Sequence, residues 1–379
     1  MALLFKDSMI QCFNKKCEDI MKMIDSFKVE NGVLVEYTGT NDNKCGYRAA
    51  EKEVVVPDKI NDETIIAIGS GAFYYRQDIK TVTLPSTVKK IYPYAFNNCH
   101  QLRSINIGSH VSLEKNAIFE CRQLAGANRF VIYNDILFDY CGFKTELMIP
   151  NTVKRVDNIG KGHDLSYDRL RIIVFPSSVK EIAPEALCFL NGLEEVVLPS
   201  FITKIPRELF GECSSLRDVK IGQEVEIIEE RAFYKCVSLT NLVLPHSISL
   251  IKESAFAYCK SLDKIKVPDD VQEISKGCFR GCTTLREIKL PKNLKKIGQS
   301  AFAGCKNLFS VVIPEGTEEI GAKSFHNCPK LRRIYIPNSV KKIHDTAFLK
   351  SEECFIIAAK DSYAHKYCTR LKLRFSPKK

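Results

Sequence analysis

The sequence predicts an α/β repeat solenoid: one parallel strand per coil, a turn or short helix returning the chain, and a helical cap at the amino end. Two observations predict it. A phenylalanine recurs every 23 residues as Phe210, Phe233, Phe256, Phe279, Phe302, Phe325 and Phe348. Three other positions keep that period: leucines from Leu216 to Leu331, isoleucines from Ile228 to Ile343, and prolines at 245, 268, 291, 314 and 337, with Gly222 in the proline place one coil earlier. Four position classes locked to one period of 20 to 30 residues mark a stack of coils, each burying the apolar side of the next.

The strand of each coil lies in stretches such as "LDKIKVP", where Leu262, Ile265 and Val267 point inward. Side chains alternate across a strand, so Lys266 falls on the opposite face, and the proline ends the ladder because it has no donor. The segment "DDVQEISKGCF" returns the chain through a turn or short helix.

Residues 1–28 carry Phe5, Met9, Phe13, Cys17, Ile20 and Ile24 at helical spacing, with balanced charge on the other face. A membrane-surface helix is normally basic, so this one is expected to cap the first coil. Residues 29–126 hold the first repeats, including "AFYYRQDIKTVTLP" and "AFNNCHQLRSINIG". At 127–169 the spacing slips, and "VIYNDILFDY" reads as a β-hairpin insertion followed by one enlarged coil. Regular repeats fill 170–350. In 351–379, "DSYAHKYCTRLKLRF" is expected to form a short helix and a final strand that close the stack.

The formal charge is +11, and the last quarter holds all of the excess: residues 285–379 contain 20 Lys and Arg against 8 Asp and Glu. Such a field attracts acidic proteins, anionic glycans, membranes or nucleic acid without choosing among them. No run approaches the ~18 continuous apolar residues of a membrane helix. "MALLFKDSMI" places Lys6 and Asp7 where a secretory signal would be apolar, which makes a cytoplasmic location an alternative.

Cysteines 99, 121, 213, 236, 259, 282, 305 and 328 share one repeat position. Equivalent side chains on neighbouring coils stand ~4.8 Å apart and parallel. A disulfide needs converging Cβ atoms at about 3.8 Å, so reduced packing is the expected role and favours a reducing compartment. No C-x-x-C or H-E-x-x-H pattern is present; His100, His110, His246 and His326 fall in turns; and "IGSGAF" reads as a repeat corner. Glu318 and Glu319 occupy an edge position that carries Lys295, Lys296, Lys341 and Lys342 in other coils, which suits a solvated rim better than acid–base chemistry. No cofactor, metal site or catalytic residue is expected.

The outward strand face remains. Its central row reads Val174, Val197, Lys220, Val243, Lys266, Lys289, Val312 and Tyr335, flanked by Arg217, Lys264, Arg286, Phe309, Arg332 and Arg333. The residues expected to contact a partner are Lys220, Lys264, Lys266, Arg286, Lys289, Phe309, Val312, Arg332, Arg333 and Tyr335, an apolar and cationic mixture suited to a protein or glycan.

The phrase A-F-x-x-C-x-x-L-x-x-I-x-(I/L)-P-x-x-(V/L)-x-x-I resembles the BspA-type leucine-rich repeat across residues 170–348. "VEYTGTNDNKCGYRAAEKEVVVPDKINDETIIAIGSGAF" is similar to that family's first repeat, "VIYNDILFDY" to its hairpin insertions and "DSYAHKY" to its closing motif. The resemblance implies a right-handed solenoid with a sheet on one face. It also implies a non-enzymatic cell-surface or secreted protein of a host-associated microbe, binding extracellular matrix or other host proteins. The family offers no counterpart for the first helix. The alternatives are an intracellular protein-interaction scaffold and, third, a weak nucleic-acid or polyanion binder acting through the basic carboxyl end.

Overall fold

The computed structural model describes residues 26–39, 52–159, 169–240 and 242–378. Within them the chain forms two compact units, residues 1–141 and 142–379, each a stack of parallel coils. Most of the expected capping helix lies outside the described residues. The first described element is a strand, Phe27–Glu30, antiparallel to Val33–Tyr37.

In the first unit, Val33–Tyr37, Ala67–Ile68, Lys90–Ile91 and Ser112–Leu113 pair in parallel, as do Lys52–Val55, Ile79–Thr83 and Ser104–Asn106. The expected hairpin is present as Phe130–Tyr133 against Ile136–Tyr140. In the second unit, one parallel sheet runs Glu146–Met148, Ile172–Val174, Glu195–Val197 and Asp218–Lys220. Another runs Ser310–Val312, Arg333–Tyr335, Phe355–Ala358 and Phe375–Pro377. The helix Tyr363–Leu371 precedes that last strand, as the sequence predicts, with Ser362 accepting from His365 N–H as its cap.

The return segments refine the expectation. Each regular coil of the second unit adds a two-residue parallel strand at its isoleucine, as in Glu273–Ile274, Lys296–Ile297, Glu319–Ile320 and Lys342–Ile343. The remainder is turns rather than helix. The reason lies at the positions two before and two after the phenylalanine, which adopt left-handed backbone: Glu208 and Glu212, Arg231 and Lys235, Ser254 and Tyr258, Lys323 and Asn327. A residue at positive φ costs about 1 kcal/mol or more and ends any right-handed helix. Only one coil uses glycine at both places, Gly277 and Gly281.

The phenylalanines stack. Phe210, Phe233, Phe256, Phe279, Phe302, Phe325 and Phe348 form one column with ring centroids 5.2–5.6 Å apart and planes within 25°. Such aromatic pairs add roughly 0.5–1.5 kcal/mol each beyond their burial. Tyr367 of the carboxyl-terminal helix ends the column edge-on, and its hydroxyl donates to the His344 carbonyl at 3.2 Å. Phe73 and Phe96 stack likewise in the first unit, at 4.8 Å.

The repeated cysteines lock this column. The Cys259 thiol donates to the Phe233 carbonyl at 3.2 Å, 26 residues back, and Cys236, Cys282, Cys305 and Cys328 make the same bond to Phe210, Phe256, Phe279 and Phe302. Cys99 and Cys121 bond Phe73 and Phe96 in the same way. Each such carbonyl also accepts an N–H of its own coil, that of the cysteine (Cys259 to Phe256 at 3.2 Å) or, at Phe73, that of Arg76 at 3.4 Å, so both lone pairs are used in a buried place. In the last coil Ser351 takes the slot and donates to Phe325 at 2.7 Å. All thirteen described cysteines are free thiols.

In the second unit burial pushes the thiols of Cys213, Cys236, Cys259, Cys282, Cys305 and Cys328 upward, to about 12 for Cys282 and Cys328, whereas the hydrogen bond with Cys121 holds Cys99 below its ordinary value. In the unfolded chain they ionise near 8.5. A raised folded pKa means stability that is complete below that value and declines as pH rises through the folded one. Unfolding free energy should therefore fall progressively from pH ~8.5 toward 12, with the thiols from Cys213 to Cys328 becoming reactive to alkylation only as the chain unfolds. Alkylation of Cys236, Cys259 or Cys305 near pH ~8.5 while the fold persists, read by peptide mass spectrometry, would contradict this.

Candidate functional site

The second unit presents the predicted face to solvent. Lys220, Lys264, Lys266, Arg286, Lys289, Phe309, Val312, Arg332 and Arg333 are exposed and Tyr335 is half-buried, whereas Ile265, Ile288, Val311 and Ile334 between them are buried. Parallel register sets the neighbours: Lys264 beside Glu287, Lys266 beside Lys289, Ser310 beside Arg333 and Val312 beside Tyr335.

These residues do not act alike. Lys220 is held by Glu195 at 2.6 Å, and that carboxylate raises the ammonium above its ordinary value. Arg332 pairs with Glu353 at 3.3 Å, a carboxylate that Arg374 also binds at 3.0 Å. Lys264, Lys266, Arg286, Lys289 and Arg333 make no ion pair among the described residues. The unpaired cations gather on the coils between the two paired ends.

The sheet opens at the same place. Lys264–Lys266 and Glu287–Lys289 form a two-stranded sheet of their own, separate from the four-stranded sheets before and after it. On the amino side, described residues 242 and 243, one repeat before Ile265 and Lys266, are not strand. Here lies a cleft of about 490 Å³ lined by Thr240, Leu242, Val243, Leu244, His246, Lys264, Ile265, Lys266, Pro268, Glu287 and Lys289. Val243 is 84% exposed, the most exposed large apolar side chain among the described residues. The cleft thus offers an apolar floor and wall with three unpaired ammonium groups on one side. Its positive field reaches Asp269, whose carboxyl is held low chiefly by the N–H and ammonium of Lys292 and to a smaller degree by Lys266.

Sequence reasoning placed Lys264, Lys266 and Lys289 but missed Leu242, Leu244 and His246. "TNLVLP" follows the same pattern as the strands around it, and no residue type in it announces that the ladder stops there.

The other chemistry-bearing residues are structural. The acidic and basic rim forms ion pairs from coil to coil, such as Glu229–Lys252 at 2.7 Å, Glu273–Lys296 at 3.4 Å and Glu319–Lys342 at 3.0 Å. Exposed pairs of this kind contribute roughly 0–1 kcal/mol each. His100, His110, His246 and His326 do lie in turns. Among the described residues no group of three His, Cys, Asp or Glu side chains could hold a metal ion, and no helix is long and apolar enough to cross a membrane.

Parallel coils, inward columns of Leu, Ile and Phe, and an outward strand face define a leucine-rich-repeat protein. The BspA type leucine rich repeat region matches in six copies over residues 52–159, 131–248 and 226–355, and the chain belongs to that family. No curated protein matches significantly. Similar solved structures include a leucine-rich repeat protein from Bacteroides ovatus ATCC 8483, with 24% identity over 86% of this chain and 92% of that one and a TM-score of 0.46. A leucine rich cell surface protein from Faecalibacterium prausnitzii A2-165 shares 22% over 90% and 94%, with a TM-score of 0.36. A leucine-rich repeat protein from Eubacterium ventriosum ATCC 27560 shares 19% over 79% and 82%, with a TM-score of 0.49.

The inward and outward rows should respond oppositely to substitution. Val243→Ser should change unfolding free energy by less than about 0.5 kcal/mol, whereas Ile265→Ala should cost about 2–5 kcal/mol. Chemical denaturation of the two variants checks this, and similar losses for both would contradict the assigned faces.

Proposed function

We propose that the protein is a non-enzymatic binding and adhesion module that holds an acidic protein or glycan partner on the strand face of its second unit, centred on the cleft beside Lys264, Lys266 and Lys289. The observation that carries the reading is the directly paired, uncompensated Lys266 and Lys289 beside the exposed Val243. Like charges directly opposite each other on adjacent strands destabilise a sheet. An anionic group seated between them relieves that repulsion, and the exposed Val243 gains burial at the same time. Arg286, Phe309, Val312, Arg333 and Tyr335 extend the surface along the following coils.

Family membership supports an interaction role and a place at the cell surface, with host extracellular proteins as the partner class. A second reading keeps the same face but puts the protein inside the cell as a scaffold, and the thirteen free thiols favour it. Labelling intact cells with an antibody to the native protein separates the two.

The binding face is tested by screening extracellular-matrix proteins and a glycan array with the wild-type chain and with Lys264→Glu, Lys266→Glu and Lys289→Glu combined. A partner retained by the wild type should bind the variant at least about tenfold more weakly, since charge pairs at such sites are commonly worth more than 1.4 kcal/mol. Unchanged affinity, with the variant still folded, would move the site elsewhere.

A further inference from the structure

A second basic surface lies on the turn side of the same unit, away from the strands. A trough of about 910 Å³ is lined there by Tyr258, Lys260, Arg280, Gly281, Thr283, Gln299, Ser300, Ala303, Gly304, Lys306, Lys323, His326 and Asn327. Its floor follows from the repeat register. The position two after the phenylalanine carries Glu212, Lys235, Tyr258, Asn327 and Lys350 in other coils, but two successive coils place Gly281 and Gly304 there. A Cβ on Gly304 would meet nothing nearer than the Gly281 backbone at 3.7 Å, so the space above it is open. The Tyr258 ring leans over Gly281, so the open part of the floor is Gly304, with Asn327 beyond it.

The charge is as uneven as the shape. Lys260, Arg280, Lys306 and Lys323 are exposed, make no ion pair among the described residues, and share the trough with no carboxylate. On earlier coils, cations of the turn side are neutralised: Arg231 by Glu208 at 3.2 Å and Lys235 by Glu212 at 2.9 Å. His326 lines the trough as well, and its buried Nδ1 has no hydrogen-bond partner. Coils rise by about 5.5 Å at the phenylalanine column, so the backbones of Lys260 and Lys306, two coils apart, stand on the order of 11 Å from each other.

We propose that this trough is a binding site for an acidic oligosaccharide, with Lys260, Arg280, Lys306 and Lys323 holding its sulfate or carboxylate groups. Tyr258 offers one ring face to a sugar, and Thr283, Ser300, Gln299 and Asn327 supply the hydroxyl and amide partners that sugar hydroxyls need. Nucleic acid fits less well, because single strands are held by a succession of aromatic platforms and the trough has one. The site is independent of the strand face and stands or falls without it.

The test titrates the full chain with a heparin-derived hexasaccharide, a neutral hexasaccharide of glucose and a single-stranded oligonucleotide of matching charge. The sulfated sugar should bind and the neutral one should not. Lys260→Gln, Lys306→Gln and Lys323→Gln combined should weaken binding at least about tenfold through lost charge-assisted hydrogen bonds, with the melting temperature preserved. Lys252→Gln and Lys342→Gln, which line neither surface and are held by Glu229 and Glu319, should leave it unchanged. Gly304→Asn fills the floor without altering charge, in a left-handed place that Asn327 already occupies one coil on, and should weaken binding several-fold. Equal affinity of the Gly304→Asn chain would reduce the effect to a diffuse positive field and overturn the site. So would tighter binding of the oligonucleotide, or indifference to the three glutamine substitutions.

Discussion

The stacked phenylalanine and the thiol bonded to its carbonyl set the terms for the rest of this structure. A buried carbonyl left short of a partner costs roughly 1–3 kcal/mol, and a ring left uncovered loses its apolar burial. Both needs are met by one device: the next coil lays its own phenylalanine on the ring and points its cysteine at the carbonyl. In the second unit the next coil returns to that place after 23 residues; in the first, the coil from Cys99 to Cys121 does so after 22, and Cys121 still reaches the Phe96 carbonyl. That return explains the left-handed residues beside each phenylalanine, which turn the chain sharply enough to meet the period despite their cost. It also explains the coil-to-coil ion pairs, which follow from register rather than from any need for charge chemistry. Cys259 is therefore a hydrogen-bond donor in a column, and burial keeps it protonated.

Function follows from what this constraint leaves free. Inward positions are fixed as Leu, Ile, Val, Phe or Cys, while outward positions touch only solvent and their neighbours on adjoining strands. On some coils the outward cations are neutralised, as with Lys220 and Arg332. On the coils of Lys266 and Lys289 they are not, and the sheet opens on either side of that pair. The uncompensated charge and the opened ladder coincide with the exposed Val243. A core requirement accounts for none of the three, and the proposed partner would account for all of them.

Much of this was legible in the sequence because a strict period converts residue spacing into spatial neighbourhood. The strands, the hairpin, the closing helix and strand, and the outward placement of Lys266 all follow from alternation and from the repeat. Of the turn or short helix expected for the return, the turn is found, since left-handed backbone at ordinary residues such as Glu208, Ser254 and Lys323, which carry no glycine signal, excludes the helix. The break at residues 242 and 243 is equally silent, because "LVLP" keeps the apolar pattern of a strand while losing the ladder. Gly281 and Gly304 are the opposite case: aligned by the period, "FRGC" and "FAGC" show the missing side chains of the trough, and only the neighbouring cations need the structure to bring them together.

The period itself is the claim on which this account depends, and shortening the stack tests it most directly. Deleting residues 279–301 removes one whole coil and joins Cys278 to Phe302, so every column closes again with one member fewer. Equilibrium denaturation should show a cooperative fold of reduced stability. Deleting residues 279–300 instead puts Ala301 in the phenylalanine slot and shifts every later residue by one, and the coils beyond the junction should lose cooperative unfolding. Indistinguishable unfolding of the two shortened chains would contradict the account.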